Sequence, residues 1–147
     1  MIYAVIDTNV FVAALLTKHR DAATAKVVEA MVAGRITAVK SPEIMAEYRD
    51  VLTRRHFGFP KGSVERILDI VEAEGVDLAA QHSDEDFPDE SDRVFFEVAL
   101  AGESLAAKLV TGNQRHYPQN PIVVTPAQMV TLLEEERPAR RPRSSCA

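Results

Sequence analysis

Short apolar runs alternate along this chain with longer stretches in which apolar residues recur every three or four positions. The short runs are rich in valine, isoleucine and leucine, and they predict five buried strands at residues 2–6, 36–39, 76–79, 108–111 and 122–124. The periodic stretches predict amphipathic helices that begin near residues 10, 21, 41, 63, 93 and 125. Strands that alternate with helices in this way predict an α/β fold built on a parallel sheet.

The chain length and the end of the sequence indicate how the fold is organised. A chain of 147 residues fits one domain, which we predict to span residues 1–136. Residues 137–147 contain four arginines together with prolines and serines and no acid, a composition that predicts a basic, disordered tail. Because the whole chain carries −5 and the tail +4, residues 1–136 carry −5 − 4 = −9.

Composition and charge exclude several classes of protein. With 46% hydrophobic and 27% charged residues the chain is typical of a soluble globular domain. No apolar stretch approaches the ~20 residues that span a bilayer, and no basic segment at the start indicates a signal peptide. A single cysteine, Cys146, has no partner in the sequence, which favours a reducing, cytoplasmic location. The acidic balance argues against a nucleic-acid binder held by a broad basic face.

Asp7 directly follows the first apolar run and is followed by Thr8 and Asn9. In parallel α/β sheets, ligands bind at the carboxyl ends of the strands, so a carboxylate there indicates a site. Taken alone, however, Asp7 is better explained as a cap of the following helix, because aspartate is common at that position.

Three further polar residues are predicted near the same edge. Glu47 flanks the apolar stripe of its helix, although a solvated boundary position would also explain it. Asp92 opens the helix after an acidic loop at residues 83–92, where the helix dipole alone would favour an acid. Asn113 follows the fourth strand. Together, three acids at one edge repel each other unless protons or cations neutralise them. Because these groups offer only oxygen, the expected cation is Mg²⁺ or Mn²⁺ and not Zn²⁺.

Four segments that contain these residues resemble the PIN-domain family: residues 5–9, 41–48, 89–101 and 109–113. Their order and spacing match along residues 1–133, and the chain is most similar to the bacterial branch of VapC-like toxins in toxin–antitoxin pairs. The resemblance implies a three-layer α/β/α sandwich and a ribonuclease that depends on Mg²⁺ or Mn²⁺. It also implies an RNA substrate, a small antitoxin partner and a homodimer or higher homo-oligomer.

The resemblance also assigns roles to individual residues. Asp7, Glu47 and Asp92 take the positions of the family's first three acids, as metal ligands and catalytic residues. Asn113 takes the fourth catalytic position, where the family usually has aspartate, and this change weakens the case for a second metal. The supporting groups that the resemblance indicates are Thr8, Asn9, Thr111 and Asp89, with Asp86 as an alternative to Asp89.

Three other functions remain open from the sequence. The neutral Asn113 would suit a PIN fold that binds RNA or protein without cutting it. A receiver-like signalling domain would also gather acids and Mg²⁺, but it requires a pair of early acids and a late lysine, which this chain lacks. A purely structural domain would have acids that are merely solvated. We expect His116 to be a surface histidine with no catalytic role.

Overall fold

The computed structural model of the protein describes residues 1–136 and contains one five-stranded sheet. The strands are β1 (Ile2–Ile6), β2 (Ile36–Lys40), β3 (Val76–Asp77), β4 (Lys108–Val110) and β5 (Val123–Val124). Their order in the sheet is β3-β2-β1-β4-β5, and every neighbouring pair is parallel. The predicted parallel α/β fold is therefore confirmed, and β1 lies at the centre of the sheet.

Six helices cover this sheet and complete the predicted three-layer α/β/α sandwich. They are α1 (Thr8–Leu16), α2 (Ala23–Val32), α3 (Pro42–Leu52), α4 (Lys61–Glu74), α5 (Arg93–Ala101) and α6 (Pro126–Glu136). Helix α5 packs on β1, β2 and β4, α2 and α4 pack on β2, and α6 packs on α2. None of the helices within residues 1–136 is long and apolar enough to cross a membrane. The predicted basic tail lies outside the described residues, so its disorder and the domain boundary stay predictions.

Local sequence signals set the ends of several elements. Helix α3 begins as predicted, because the Ser41 hydroxyl accepts a hydrogen bond from the Ile44 amide at 3.3 Å and Pro42 occupies the first helical position. Strand β3 is shorter than predicted and pairs only at Val76 and Asp77. Asp92 lies in a short 3₁₀ turn that precedes α5, and not in the first turn of the helix as predicted.

A buried tyrosine connects α3 to the end of the central strand. The Tyr48 hydroxyl donates a hydrogen bond to the carbonyl of Ile6, and its ring packs edge-on against Phe11 at 5.0 Å between centroids. Phe95 of α5 packs on the other side at 6.2 Å. Because Tyr48 is fixed in this way, the preceding residue, Glu47, is placed beside the carboxyl end of β1. The hydrophobic core thus positions one of the predicted acids directly.

Candidate active site

Asp7 lies at the carboxyl end of β1 and is almost completely buried, with 5% of its surface exposed. Its Oδ2 atom accepts hydrogen bonds from the hydroxyls of Thr111 at 2.8 Å and Tyr117 at 2.9 Å, and from the Asn9 side-chain amide at 3.2 Å. Although Asp7 precedes α1, its side chain makes no capping hydrogen bond. The simple explanation of Asp7 as a helix cap therefore does not describe its geometry.

The supporting polar residues form a network around Asp7. The Thr111 hydroxyl donates to Asp7 and accepts from the Asn113 backbone amide at 3.0 Å. The Asn9 side-chain oxygen accepts from the Gly112 amide at 3.0 Å. These bonds join the start of α1 to the loop after β4. The polar residues that follow the neighbouring strands β1 and β4 therefore form one hydrogen-bonded network.

Glu47 faces the same site from α3 and is half-buried. Its Oε2 atom accepts a hydrogen bond from the Thr8 hydroxyl at 2.7 Å. This bond connects Glu47 to the residue that directly follows Asp7. Burial raises the pKa of Glu47, and the nearby charges of Asp7 and Asp89 raise it further.

Asp92 faces the site from the turn before α5 and is also half-buried. Burial is the largest influence that raises its pKa to about 6, and repulsion from Asp7, Asp89 and Glu47 contributes. His116 opposes this change, because its Nδ1 atom lies 3.5 Å from the Asp92 carboxylate. The structure thus brings Asp7, Glu47 and Asp92 within electrostatic reach of one another, while their catalytic roles stay predictions.

Asp89 and Asn113 lie at the exposed rim of this site. The Asp89 carboxylate accepts hydrogen bonds from the backbone amide and hydroxyl of Ser91, and these bonds lower its pKa. The Asn113 side chain makes no hydrogen bond with any residue of the described part of the chain, so its amide is accessible. Neither residue has the buried set of side-chain hydrogen-bond donors that surrounds Asp7.

Sequence reasoning missed Tyr117 and misjudged the neighbourhood of His116. Tyr117 is buried, and burial together with the charge of Asp7 raises the pKa of its phenol, so it acts as a hydrogen-bond donor to Asp7. His116 is at the surface as predicted, but its ring faces Asp92. The only sequence signal was their position soon after the fourth predicted strand, in a segment that looked like an ordinary loop.

Arg93 fixes the acidic loop next to the site. Its guanidinium donates hydrogen bonds to the backbone carbonyls of Ser83 and Glu85, both at 2.8 Å, and to both carboxylate oxygens of Glu90 at 2.7 and 2.9 Å. The same group lies 4.8 Å from the ring centre of Phe87, in cation–π geometry. The loop is therefore tied to the first residue of α5, next to Asp92.

Phe87 connects the acidic loop to the residues around the buried Asp7. Its ring packs edge-to-face on Tyr117, with 6.0 Å between centroids, and Tyr117 in turn donates to Asp7. On the other side of the loop, the buried Glu97 accepts a hydrogen bond from the Ser83 amide at 2.8 Å. The acidic loop, Tyr117 and Asp7 are thus one connected assembly.

The donor chemistry of the site fits a hard divalent cation. The three facing side chains offer carboxylate oxygens only, and burial and mutual repulsion raise the pKa of each. All three side-chain hydrogen bonds that Asp7 accepts within residues 1–136 reach Oδ2. No three Asp, Glu, His or Cys side chains of this part of the chain lie close enough to enclose one ion directly. Mg²⁺ usually keeps several of its waters and needs only one or two direct carboxylates.

An open cleft adjoins the site on the side of Tyr117. It has a volume of about 680 Å³, and its walls come from the loop between β4 and β5: Gln114, Arg115, Tyr117, Pro118, Gln119, Asn120 and Val123. Tyr117, which donates a hydrogen bond to Asp7, forms part of the wall of this cleft.

Comparison with protein families identifies the same segments. Residues 3–115 match the family model described as PIN domain, and this match contains Asp7, Glu47, Asp92 and Asn113. Tyr117 lies beyond its end. No curated protein and no solved structure matches the chain significantly.

Proposed function

Because this chain belongs to the PIN-domain family, whose members are generally nucleases, we propose that it is a metal-dependent endoribonuclease that hydrolyses RNA phosphodiester bonds. The observation that carries this proposal is the convergence of Asp7, Glu47 and Asp92 at the carboxyl ends of the central strands. A group of acids whose pKa values are all raised is unfavourable for stability alone and suits a cation site.

In the proposed mechanism, Asp7 and Asp92 would hold the metal, and Glu47 would orient the attacking water or help to hold the metal. Bound Mg²⁺ or Mn²⁺ supplies a water of lowered pKa and neutralises charge on the phosphate. Hydrogen bonds from Thr111 and Tyr117 hold the Asp7 carboxylate in one orientation. The ring of His116 lies beside Asp92, with its Nδ1 atom 3.5 Å from the carboxylate.

A cleavage assay with matched carboxylate variants tests this function. The purified protein is incubated with fluorophore-labelled single-stranded RNA, or with DNA of the same sequence, in Mg²⁺, Mn²⁺ or EDTA. We expect cleavage of RNA in Mg²⁺ or Mn²⁺, and Asp7→Asn should reduce kcat/KM by at least about a hundredfold. Asp69→Asn removes the same charge from an exposed position on α4 and should leave the rate unchanged. Wild-type activity in Asp7→Asn, or in EDTA, would contradict the mechanism.

We also propose that the protein is the toxin of a toxin–antitoxin pair, with a small antitoxin partner and a homodimeric or larger assembly. The similarity of its motifs to VapC-like toxins supports this. Expression in a bacterial host should arrest growth, and Asp7→Asn should relieve the arrest. Light scattering after size exclusion gives the oligomeric state, and co-purification with the product of an adjacent small reading frame tests the partner. If expression of the wild type slowed growth no more than expression of Asp7→Asn, the toxin assignment would be wrong.

A catalytically inactive PIN fold is the second candidate, and Asn113 is the observation that favours it. This residue places a neutral, exposed amide where the family usually has a carboxylate. An inactive fold predicts RNA binding with no cleavage under any metal, and the assay above distinguishes the two.

A further inference from the structure

The loop between α3 and α4 is the most basic segment of an otherwise acidic body. Residues 51–64 contain Arg54, Arg55, His56 and Lys61 and no acid, whereas residues 1–136 together carry −9. Arg54 pairs with Asp50 at 3.0 Å and Lys61 lies 3.9 Å from Glu65. Arg55 has no acidic partner within 4 Å in the described part of the chain and is exposed. This segment is therefore suited to an anionic ligand.

Three aromatic rings of the same loop lie in contact. Phe59 packs against the hydrophobic core, and the ring of Phe57 lies parallel to it, with 4.9 Å between centroids and 5° between planes. The imidazole of His56 lies 4.2 Å from the Phe57 centroid, tilted by 37°, and is exposed to solvent. The row of rings thus begins at the core and ends at an exposed imidazole.

The backbone holds these rings in place without a ligand. The amides of Phe57 and Gly58 donate to the carbonyls of Arg54 and Arg55 at 3.2 and 3.1 Å, so the loop is a hydrogen-bonded turn. Gly58 has φ +59°, a conformation that side chains disfavour, and it reverses the chain between the two phenylalanines. A ligand would meet a preorganised surface and would lose little entropy in ordering it.

The loop is continuous with the candidate active site. Arg54 follows the end of α3 by two residues and lies seven residues after Glu47 along the chain. The charge of Arg54 also lowers the pKa of Glu47, which agrees with this proximity. A strand that contacts the loop therefore needs to extend only a few nucleotides to reach the carboxylates.

We propose that this loop is a docking platform for single-stranded RNA, in which a nucleobase stacks on His56 and Arg55 contacts the backbone phosphate. This inference rests on the proposed ribonuclease function and names the surface that receives its substrate. An unpaired base presents a free aromatic face, whereas bases inside a duplex are already stacked. The arginine supplies the attraction for phosphate that the acidic body lacks.

Binding measured without cleavage tests the platform. Fluorescence anisotropy follows a labelled RNA single strand of about twelve nucleotides, and its duplex, in EDTA with the full-length protein. We expect His56→Ala to weaken single-strand binding about fivefold or more, and His56→Phe to retain it because the ring is kept. Arg55→Ala should reduce the slope of log affinity against log salt by about 0.7. The control, Arg66→Ala, removes an exposed arginine from α4 with the ring stack intact.

The outcomes separate this inference from the proposed function. Unchanged single-strand affinity in His56→Ala, or equal losses in His56→Ala and His56→Phe, would show that no base stacks there. Equal affinity for the duplex would also overturn the platform. In each of these cases metal-dependent cleavage by the wild type, abolished in Asp7→Asn, would leave the ribonuclease function standing. If the wild type neither binds nor cleaves RNA, the function itself fails.

Discussion

Replacing Asp92 by asparagine should make the metal-free protein more stable at neutral pH. In the folded state the pKa of Asp92 is raised from 3.8 to about 6, chiefly by burial and then by the charges of Asp7 and Asp89. A difference of about two pKa units corresponds to at most about 3 kcal/mol of unfavourable free energy when the group is ionised. Because Asp92 is only half-buried, solvent screening reduces this to about 1.5 kcal/mol.

The raised pKa also fixes the pH range in which the effect is seen. Below about pH 4 the carboxyl is protonated in both the folded and the unfolded chain, and Asp92 costs nothing. Between about pH 4 and pH 6 the unfolded chain releases its proton first, so the wild type loses stability as the pH rises. Above pH 6 the full cost is present. Asp92→Asn carries no such charge, and its stability should fall less over this range.

Thermal and urea unfolding in EDTA at pH 4 and pH 7.5 measure this difference. At pH 7.5 we expect Asp92→Asn to melt about 3–6 °C above the wild type, and at pH 4 the two should converge. Asp69→Asn removes an exposed acid of α4 and controls for the change in net charge. Mg²⁺ should stabilise the wild type more than Asp92→Asn, because it binds the folded carboxylates. An Asp92→Asn protein that is no more stable than wild type at pH 7.5 would refute the repulsion and the site built on it.

Four further changes have defined expected results. Tyr117→Phe removes a hydrogen bond that lowers the pKa of Asp7, so the acidic limb of the pH–rate profile should move to higher pH and stability should fall by about 1–2 kcal/mol; an unchanged profile would separate Tyr117 from catalysis. Arg93→Lys cannot make the same set of hydrogen bonds, so hydrogen exchange at residues 83–90 should accelerate and more Mg²⁺ should be required for half-maximal cleavage. Asn113→Asp adds a carboxylate and should tighten Mn²⁺ binding in a calorimetric titration; weaker or equal affinity would place Asn113 away from the metal. Truncation after Glu136 should leave the melting temperature nearly unchanged and weaken RNA binding mainly at low salt, unless the arginines of the tail serve another partner.

The strands and their polar ends could be predicted because the signals are local. The run at residues 2–6 is continuous and apolar, as expected for a strand buried on both faces of a parallel sheet. Once the sheet is parallel, the residues after β1 and β4 must lie at the same edge, which places Asp7 beside Thr111 without any knowledge of side chains. The position of Glu47 near this edge could be predicted because the residue lies beside the apolar stripe of α3.

The groups that organise these acids could not be predicted from local patterns. Tyr117 is 110 residues from Asp7 along the chain, and its hydroxyl reaches the carboxylate only because a loop returns over the sheet edge. Arg93 resembled any arginine at the start of a helix, since two of its four hydrogen bonds go to backbone carbonyls, which carry no residue identity. Contacts between residues far apart along the chain, and contacts with backbone atoms, produce no periodic pattern in a single sequence.

The placement of these neutral and basic partners explains how the fold tolerates an acidic centre. Three hydrogen bonds to Oδ2 stabilise Asp7 as an anion, while burial raises its pKa, so the two influences oppose each other at one buried residue. Asp92 receives no comparable set of donors and relies on His116 at 3.5 Å. Asp92 is therefore the acid whose charge is least compensated by the protein, and the one whose stability cost a bound cation would relieve most directly. A site that only served stability would replace such a residue by asparagine, which keeps the shape and removes the cost.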